Sequence, residues 1–495
     1  MLVSKGCVLV RHTEASTGYG IVRGTEEDGV IIWRGIPFAA PPVGELRFAA
    51  PRPPASWEGV RDASSFGPVS LQPPDTRGTR YRGQQPVFSE DCLYLNVWSP
   101  AGVDETLPVM VWIHGGTFLT GSGSQPMFDG RVLASRSRVV VVSVNYRLGP
   151  LGFLHLSPLG EGFASNAGLL DQIAALEWVQ GNIAAFGGDP KRVTVFGESA
   201  GSMSVAALLA MPSARGLFAR AIMQSGASQA LPPEAGSAIA AALLAELGLD
   251  RSSASQLRVL PAESILSAAF AVAQRLTGDS PGMVFQPVVD TDTLPEEPVL
   301  AVSGGSASGV PLLIGTNSHE GHYFFREGTP VPPMEKSLKA LEQTLGLSDL
   351  SALAPYYSED WEGQAGMMTD LFFWRSAVAF AESYLGHGPV WMYRFDWGVE
   401  DHTLLSKAVH TAEIPYVFGN MDFLRGLGIQ VTQALQSLSD AMRSAWTAFA
   451  YSGSPDCSEL PWPEYETEER ATLIFDEAPA VVKDPESEKR KMIFE

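Results

Sequence analysis

Gly197-Glu198-Ser199-Ala200-Gly201 sets a serine between two glycines at the spacing of a nucleophile elbow. The residues before it, Val193–Gly197 (VTVFG), read as a strand, and Ala200–Met211 after it reads as a helix of small and apolar residues. A hydroxyl lifted above a sheet on such a turn can attack an acyl carbon if a base takes its proton and an acid orients the base. On this kind of sheet the chain order is Ser, then Asp or Glu, then His. Five of the eight histidines follow the serine: His319, His322, His387, His402 and His410. Glu320 falls in the loop after the strand Pro311–Gly315, and His410 follows the strand Val390–Phe395 by a loop. Spacing alone chooses neither His410 over His402 nor Glu320 over the other carboxylates between them. His114-Gly115-Gly116-Thr117 closes the strand Pro108–His114 and offers backbone N–H groups beside glycines, which suits the stabilisation of an oxyanion.

These residues need a scaffold that brings distant loops to one edge. Short β-branched runs alternate with amphipathic stretches, the pattern of an α/β fold with a mostly parallel central sheet flanked by helices. Pro108–His114, Val139–Asn145, Val193–Gly197, Ala221–Gln224, Pro311–Gly315 and Val390–Phe395 are nearly all apolar, as strands buried on both faces should be. In Gly168–Phe186, Leu169, Ile173, Leu176, Val179, Ile183 and Phe186 recur every three or four residues, which predicts a helix stopped by Gly187-Gly188-Asp189-Pro190. The segments 232–276 and 330–384 read as helical insertions capping one edge of the sheet. No repeat or composition shift marks a second domain, so residues 1–495 read as one catalytic domain.

The chain has 34 Lys+Arg against 55 Asp+Glu, a net charge of −21, and no basic block. That argues against nucleic-acid or anionic-membrane partners and reads mainly as solubility. Cys7, Cys92 and Cys457 are too few and too scattered for a disulfide framework, and no C-x-x-C pair suggests zinc. The first residues, MLVSKGCVLVRHTEA, lack a signal-peptide pattern, and no apolar run approaches the roughly 20 residues of a membrane span. A cytoplasmic protein, monomeric or a small homo-oligomer, is the expectation.

The chain resembles the type B carboxylesterase family, the cholinesterase-like branch of the α/β hydrolases, and within it the bacterial para-nitrobenzyl esterases. The matching segments include Trp33–Ala39, Ser89–Val97 (SEDCLYLNV), VWIHGG, Asn145–Gly149, Asn166–Gly201, Gln224–Gly226, Gly315–Gly321, His410–Gly419 and Trp446–Pro455. Together they span nearly the whole chain. The resemblance implies an α/β-hydrolase fold, with Ser199 as nucleophile, Glu320 as acid and His410 as base. It implies Gly116, Thr117 and Ala200 as oxyanion-hole donors, with Gly115 in the same loop. It puts Pro281–Phe285 at the acyl pocket and Tyr323 and Phe324 on the wall, so that Met283, Phe285 and Phe324 would make an apolar pocket for short to medium acyl groups. Arg47 and Glu90 resemble a structural ion pair of the family.

Three positions depart from the family pattern: Thr117 and Thr411 stand where glycine or alanine, and glycine, are usual, and His319 stands where Asp is common. In secreted relatives the cysteine of EDCL is disulfide-bonded to one in the preceding loop, where this chain has Ser70. The activity implied is a serine carboxylesterase working through an acyl-enzyme on small-molecule esters and water, with no cofactor and no metal. The alternatives are a catalytically silent cholinesterase-like binding protein, or a lipase, thioesterase, carbamate hydrolase or amidase, because one triad serves all acyl transfers.

Overall fold

The computed structural model describes residues 13–75, 80–81, 85–278, 282–328, 330–400, 402–457 and 460–494. Its strands are β1 (Glu14–Thr17), β2 (Gly20–Arg23), β3 (Thr25–Glu27), β4 (Val30–Pro37), β5 (Val60–Asp62), β6 (Tyr94–Pro100) and β7 (Leu107–Ile113). They continue with β8 (Val140–Val144), β9 (Gly188–Glu198), β10 (Arg220–Gln224), β11 (Leu312–Asn317), β12 (Val390–Phe395), β13 (Ala471–Phe475) and β14 (Ala480–Lys483). Among the described residues β1, β2 and β5 form a small sheet, and the other eleven form one large sheet in the order β14-β13-β12-β11-β10-β9-β7-β8-β6-β4-β3. The run from β13 to β8 is parallel. Antiparallel strands close both edges: β14 at one, and β6, β4 and β3 at the other. This is an α/β-hydrolase fold.

The parallel strands are buried on both faces, and alternate side chains feed two separate cores. Val109, Val111, Val142, Val195, Ala221 and Ile314 point into one apolar cluster, with the helices Ala167–Asn182 and Ala200–Ala210. Met110, Trp112, Val141, Phe196, Ile222 and Leu313 point into the other, against Ile414–Phe418 and Gln433–Ser452. Each large apolar side chain buried this way contributes about 1.5–3 kcal/mol, the main source of stability.

All six expected strands are present, shifted at their ends by a few residues at most except at β9, which starts five residues early at Gly188. The expected helix 168–186 is α-helical over Ala167–Asn182 and tightens into a 3-10 turn over Ile183–Phe186. Gly187, at φ 84°, ends it in the left-handed conformation that glycine adopts without strain. The strands β3, β4, β6, β13 and β14 were not anticipated. β4 carries Gly35 and Pro37 and a register shift between Trp33 and Ile36, which hide its period.

Both insertions are helical. The first contains Pro233–Glu246 and Ala262–Thr277, whose Leu243, Ile265 and Val272 join the first core cluster. The second contains Met334–Leu345, Trp361–Met367, a π-helical run Met368–Trp374 and Arg375–Tyr384. It holds a small core of its own, with Met334, Leu338, Leu341, Leu353, Met367 and Leu371. Among the described residues no helix is long and apolar enough to cross a membrane.

Candidate active site

β9 runs straight into the elbow. Ser199 sits at φ 56°, ψ −124°, a backbone conformation that costs a non-glycine residue about 1–3 kcal/mol and holds only where its surroundings fix it. Its N–H donates to the Gln224 carbonyl of β10 at 2.9 Å, and its carbonyl accepts from Met203 N. The flanking glycines are required by close packing. A Cβ on Gly197 would stand 2.6 Å from the Gly201 carbonyl carbon and 2.7 Å from the Ile113 oxygen, and one on Gly201 would strike the Ile113 carbonyl. The helix Ala200–Ala210 begins at once, so the Ala200 N–H is one of the first-turn donors that no helical carbonyl can reach.

The loop after β7 crosses this elbow. A Cβ on Gly115 would lie 2.9 Å from Ser199 Cβ, so only glycine lets the two backbones approach. Gly116 (φ 116°) and Thr117 (φ 55°) both have left-handed backbone. The Thr117 hydroxyl is turned back to donate to the Gly116 carbonyl at 2.7 Å, and Thr117 borders the same cavity as Ser199. Thr117 therefore holds its left-handed backbone under strain. His114 anchors the loop: its ring stacks on Tyr146 at 4.5 Å, and Tyr146 Oη donates to the His114 carbonyl. Burial lowers the His114 imidazole to about 4, so it stays neutral.

Glu320 lies in the 3-10 turn just after β11, wholly buried. Its Oε1 accepts from Asn317 N at 2.8 Å, and its Oε2 accepts from His410 Nδ1 at 2.7 Å. That leaves His410 Nε2 facing the elbow, 3.1 Å from Glu198 Oε1, an ion-pair contact when His410 is protonated. The next residue, Thr411, takes φ 72°, which explains why glycine is usual there. His402, the histidine that spacing left open, is engaged elsewhere: its Nδ1 accepts from Leu404 N and Leu405 N, and its Nε2 faces the Leu427 carbonyl. His319 bonds Ser318 Oγ, and its imidazole is lowered by burial and then by Lys407.

The electrostatics centre on His410. Burial pulls its imidazole down, but the carboxylates of Glu198, Glu320 and Glu413 outweigh that and hold it up at about 9. Burial pushes the Glu198 carboxyl well up, opposed by the His410 charge. Glu413 is also buried and raised, first by burial and then by Glu320, and it accepts from Gln224 Nε2 (3.0 Å) and Asn317 Nδ2 (2.8 Å). These contacts tie β10, β11 and the His410 loop into one polar network.

A cavity of about 220 Å³ opens beside Ser199. Met283 and Phe324 border it, together with Met203, Met367, Met368 and Phe373. Phe285 does not line it. This side chain is buried in the first core cluster, so that part of the expected pocket is core. Pro281 lies outside the described residues. Phe324 and Phe373 also pack on the His410 ring, with centroids 5.3 and 4.8 Å away. Glu198, Glu413 and Phe373 were missed as site residues in the sequence. Glu198 carried a signal as the variable position of the elbow motif and Glu413 as the carboxylate three residues after His410, whereas Phe373 lies in an insertion with no motif.

Arg47 and Glu90 form a bidentate pair at 2.6 and 2.5 Å, and Arg47 also donates to the Leu257 and Leu260 carbonyls, a structural clamp on the first insertion. Among the described residues, no group of three or more His, Cys, Asp or Glu side chains has the geometry to hold a metal ion.

Residues 11–493 match the profile of the carboxylesterase family. The chain is 49% identical to the para-nitrobenzyl esterase of Bacillus subtilis (strain 168), over 98% of its own length and 99% of the relative's. It is 37% identical to the phenmedipham hydrolase of Pseudarthrobacter oxydans, over 96% and 98% of the two chains. A solved PNB esterase structure superposes with a TM-score of 0.93 at 48% identity, covering 98% of this chain and all of that one.

Proposed function

The chain belongs to the carboxylesterase family and is a carboxylic ester hydrolase, and from that premise we propose that Ser199, Glu320 and His410 are its nucleophile, acid and base. The observation that carries this reading is the placement of His410, with Nδ1 held by Glu320 and Nε2 directed at the elbow that presents Ser199. In the proposed reaction His410 takes the proton of Ser199 as the hydroxyl attacks the ester carbonyl. Glu320 fixes the imidazole tautomer and balances the imidazolium charge. The N–H groups of Gly116, Thr117 and Ala200 receive the developing oxyanion, where each such donor is worth about 3–4 kcal/mol. His410 then protonates the departing alcohol, and a water molecule activated by the same base releases the acid from the acyl-enzyme.

The apolar cavity bordered by Met283 and Phe324 supports acyl groups of short to medium length. The two insertions belong to the same catalytic domain, the second forming the far wall of the cavity. The proposed setting is the cytoplasm. It is supported by Cys92, which is buried beside Ser70 and is a free thiol raised by that burial.

The test is hydrolysis of p-nitrophenyl acetate, butyrate and octanoate by the protein and by Ser199→Ala. The expected result is turnover that falls by about 10⁴-fold or more in the variant. A folded Ser199→Ala protein that keeps its activity would overturn the assignment.

A further inference from the structure

One short segment meets the cavity, the His410 ring and the turn that carries Glu320. In the π-helical run Met368–Trp374, Met368, Phe372 and Phe373 border the cavity, and Phe373 also packs on His410. Thr369 Oγ1 accepts from the N–H of Gly321, the residue after Glu320, at 2.9 Å. Leu371 turns into the small core of the second insertion. A π-helical run is a costly conformation that recurs where function needs a side chain placed out of α-helical register.

Asp370 is the one carboxylate in this run, and its bonds lead away from the site. Its Oδ2 accepts from Tyr357 Oη at 3.1 Å, and its Oδ1 accepts from Lys489 Nζ at 3.1 Å. Lys489 belongs to the helix Ser487–Phe494, none of whose residues is buried. That helix is therefore held by ion pairs and by partly buried side chains at its end. At its start, Glu486 pairs with Arg394 of β12 at 3.1 Å, and Arg490 pairs with Asp484 at 3.0 Å. At its end, Met492 and Ile493 pack on the core of the second insertion, and the Phe494 ring lies 6.5 Å from Trp374 and 5.3 Å from the Arg375 guanidinium. One end of the helix is thus fixed to the rigid sheet and the rest to the cavity wall.

We infer that Lys489 is a positioning residue for ester selectivity: through Asp370 it braces the π-helical wall against the sheet and sets how long an acyl group the cavity accepts. The inference rests on the reading of Ser199 as nucleophile of this cavity. Lys489 pairs with Asp370 and Glu486 and with no residue of the proposed triad, so its removal should leave the chemistry intact and loosen the wall. Short acyl groups, which do not reach the wall, would react as before.

The experiment compares p-nitrophenyl acetate and octanoate with the full chain, Lys489→Met, Lys489→Arg and Ser199→Ala. Lys489→Met keeps the aliphatic stem and removes the charge. The expected result is a rise of about fivefold in the octanoate-to-acetate ratio of kcat/KM, the scale of a single ion pair with one partly exposed partner. It should arise from a lower KM for octanoate, with kcat on acetate within about twofold of the parent, and Lys489→Arg should restore the parent ratio. Amide exchange across 368–374 should also quicken in Lys489→Met. A ratio that is unchanged or lowered, or an equal loss on both esters that follows a fall in the urea midpoint, overturns the inference. Activity surviving in Ser199→Ala would instead overturn the nucleophile assignment on which it rests.

Discussion

Replacing Glu198 by Gln tests whether the elbow sets the proton affinity of His410, the proposed base. Gln keeps the shape of the side chain and removes its charge. In the parent protein the surrounding carboxylates, Glu198 first among them, hold His410 at about 9 against an ordinary 6.5 despite burial. That difference favours the imidazolium by a few kcal/mol, at about 1.4 kcal/mol for each pH unit. Two unit charges 3.1 Å apart attract by about 5 kcal/mol at an effective dielectric of about 20, before the cost of burying them, so Glu198 is able to supply a large part of the effect. In the proposed mechanism His410 must be neutral to accept the Ser199 proton. A carboxylate that favours the charged imidazole therefore moves the acid limb of activity to higher pH, and removing it moves the limb to lower pH. The expectation for Glu198→Gln is an acid limb of kcat/KM displaced downward by about one to two pH units, read with p-nitrophenyl butyrate from pH 5 to 10 at constant ionic strength. Stability should follow the same linkage. A raised His410 stabilises the fold fully below about 6.5, and that contribution is lost as pH rises through about 9, so the urea midpoint of the parent should fall across this window and that of the variant should fall less. An acid limb that stays where the parent's lies would refute the reasoning, because it would mean that Glu198 carries no charge while His410 titrates.

Thr411→Gly should raise stability by about 0.5–1 kcal/mol, since a left-handed backbone costs an L-residue about 1–2 kcal/mol and glycine returns about 0.5–1 of that as unfolded-state entropy. A lower urea midpoint would show that the Thr side chain contributes contacts that outweigh the strain. Met283→Ala should widen the cavity beside Ser199 and shift the acyl-chain preference toward octanoate. An unchanged chain-length profile would remove Met283 from the pocket.

The elbow was legible because its constraints are local. Two glycines, a strand before and a small-residue helix after are each required by packing within a few residues of Ser199, so they are written side by side. The same holds for His114–Thr117, where glycine is needed because the loop passes against Ser199 Cβ. The resemblance to a family then selected Glu320 and His410 from candidates that spacing left equal. Phe285 shows the limit of that route: its position in the chain fits a pocket, but its side chain turns into the core.

By itself the sequence determined the α/β class, the buried parallel strands and the identity of the elbow, because hydrophobic period and glycine placement act over a few residues. Only the tertiary structure decided that Glu198 and Glu413 join Glu320 around His410. Glu198, Glu320 and Glu413 lie on different segments, and their effect on one imidazole depends on distances of a few ångströms set by the register of β9, β10 and β11. It also decided the cavity wall and the Lys489 brace, whose partner Asp370 is 119 residues away in the chain. Contacts of that range follow from how packed elements meet, and no local pattern of residue types encodes them.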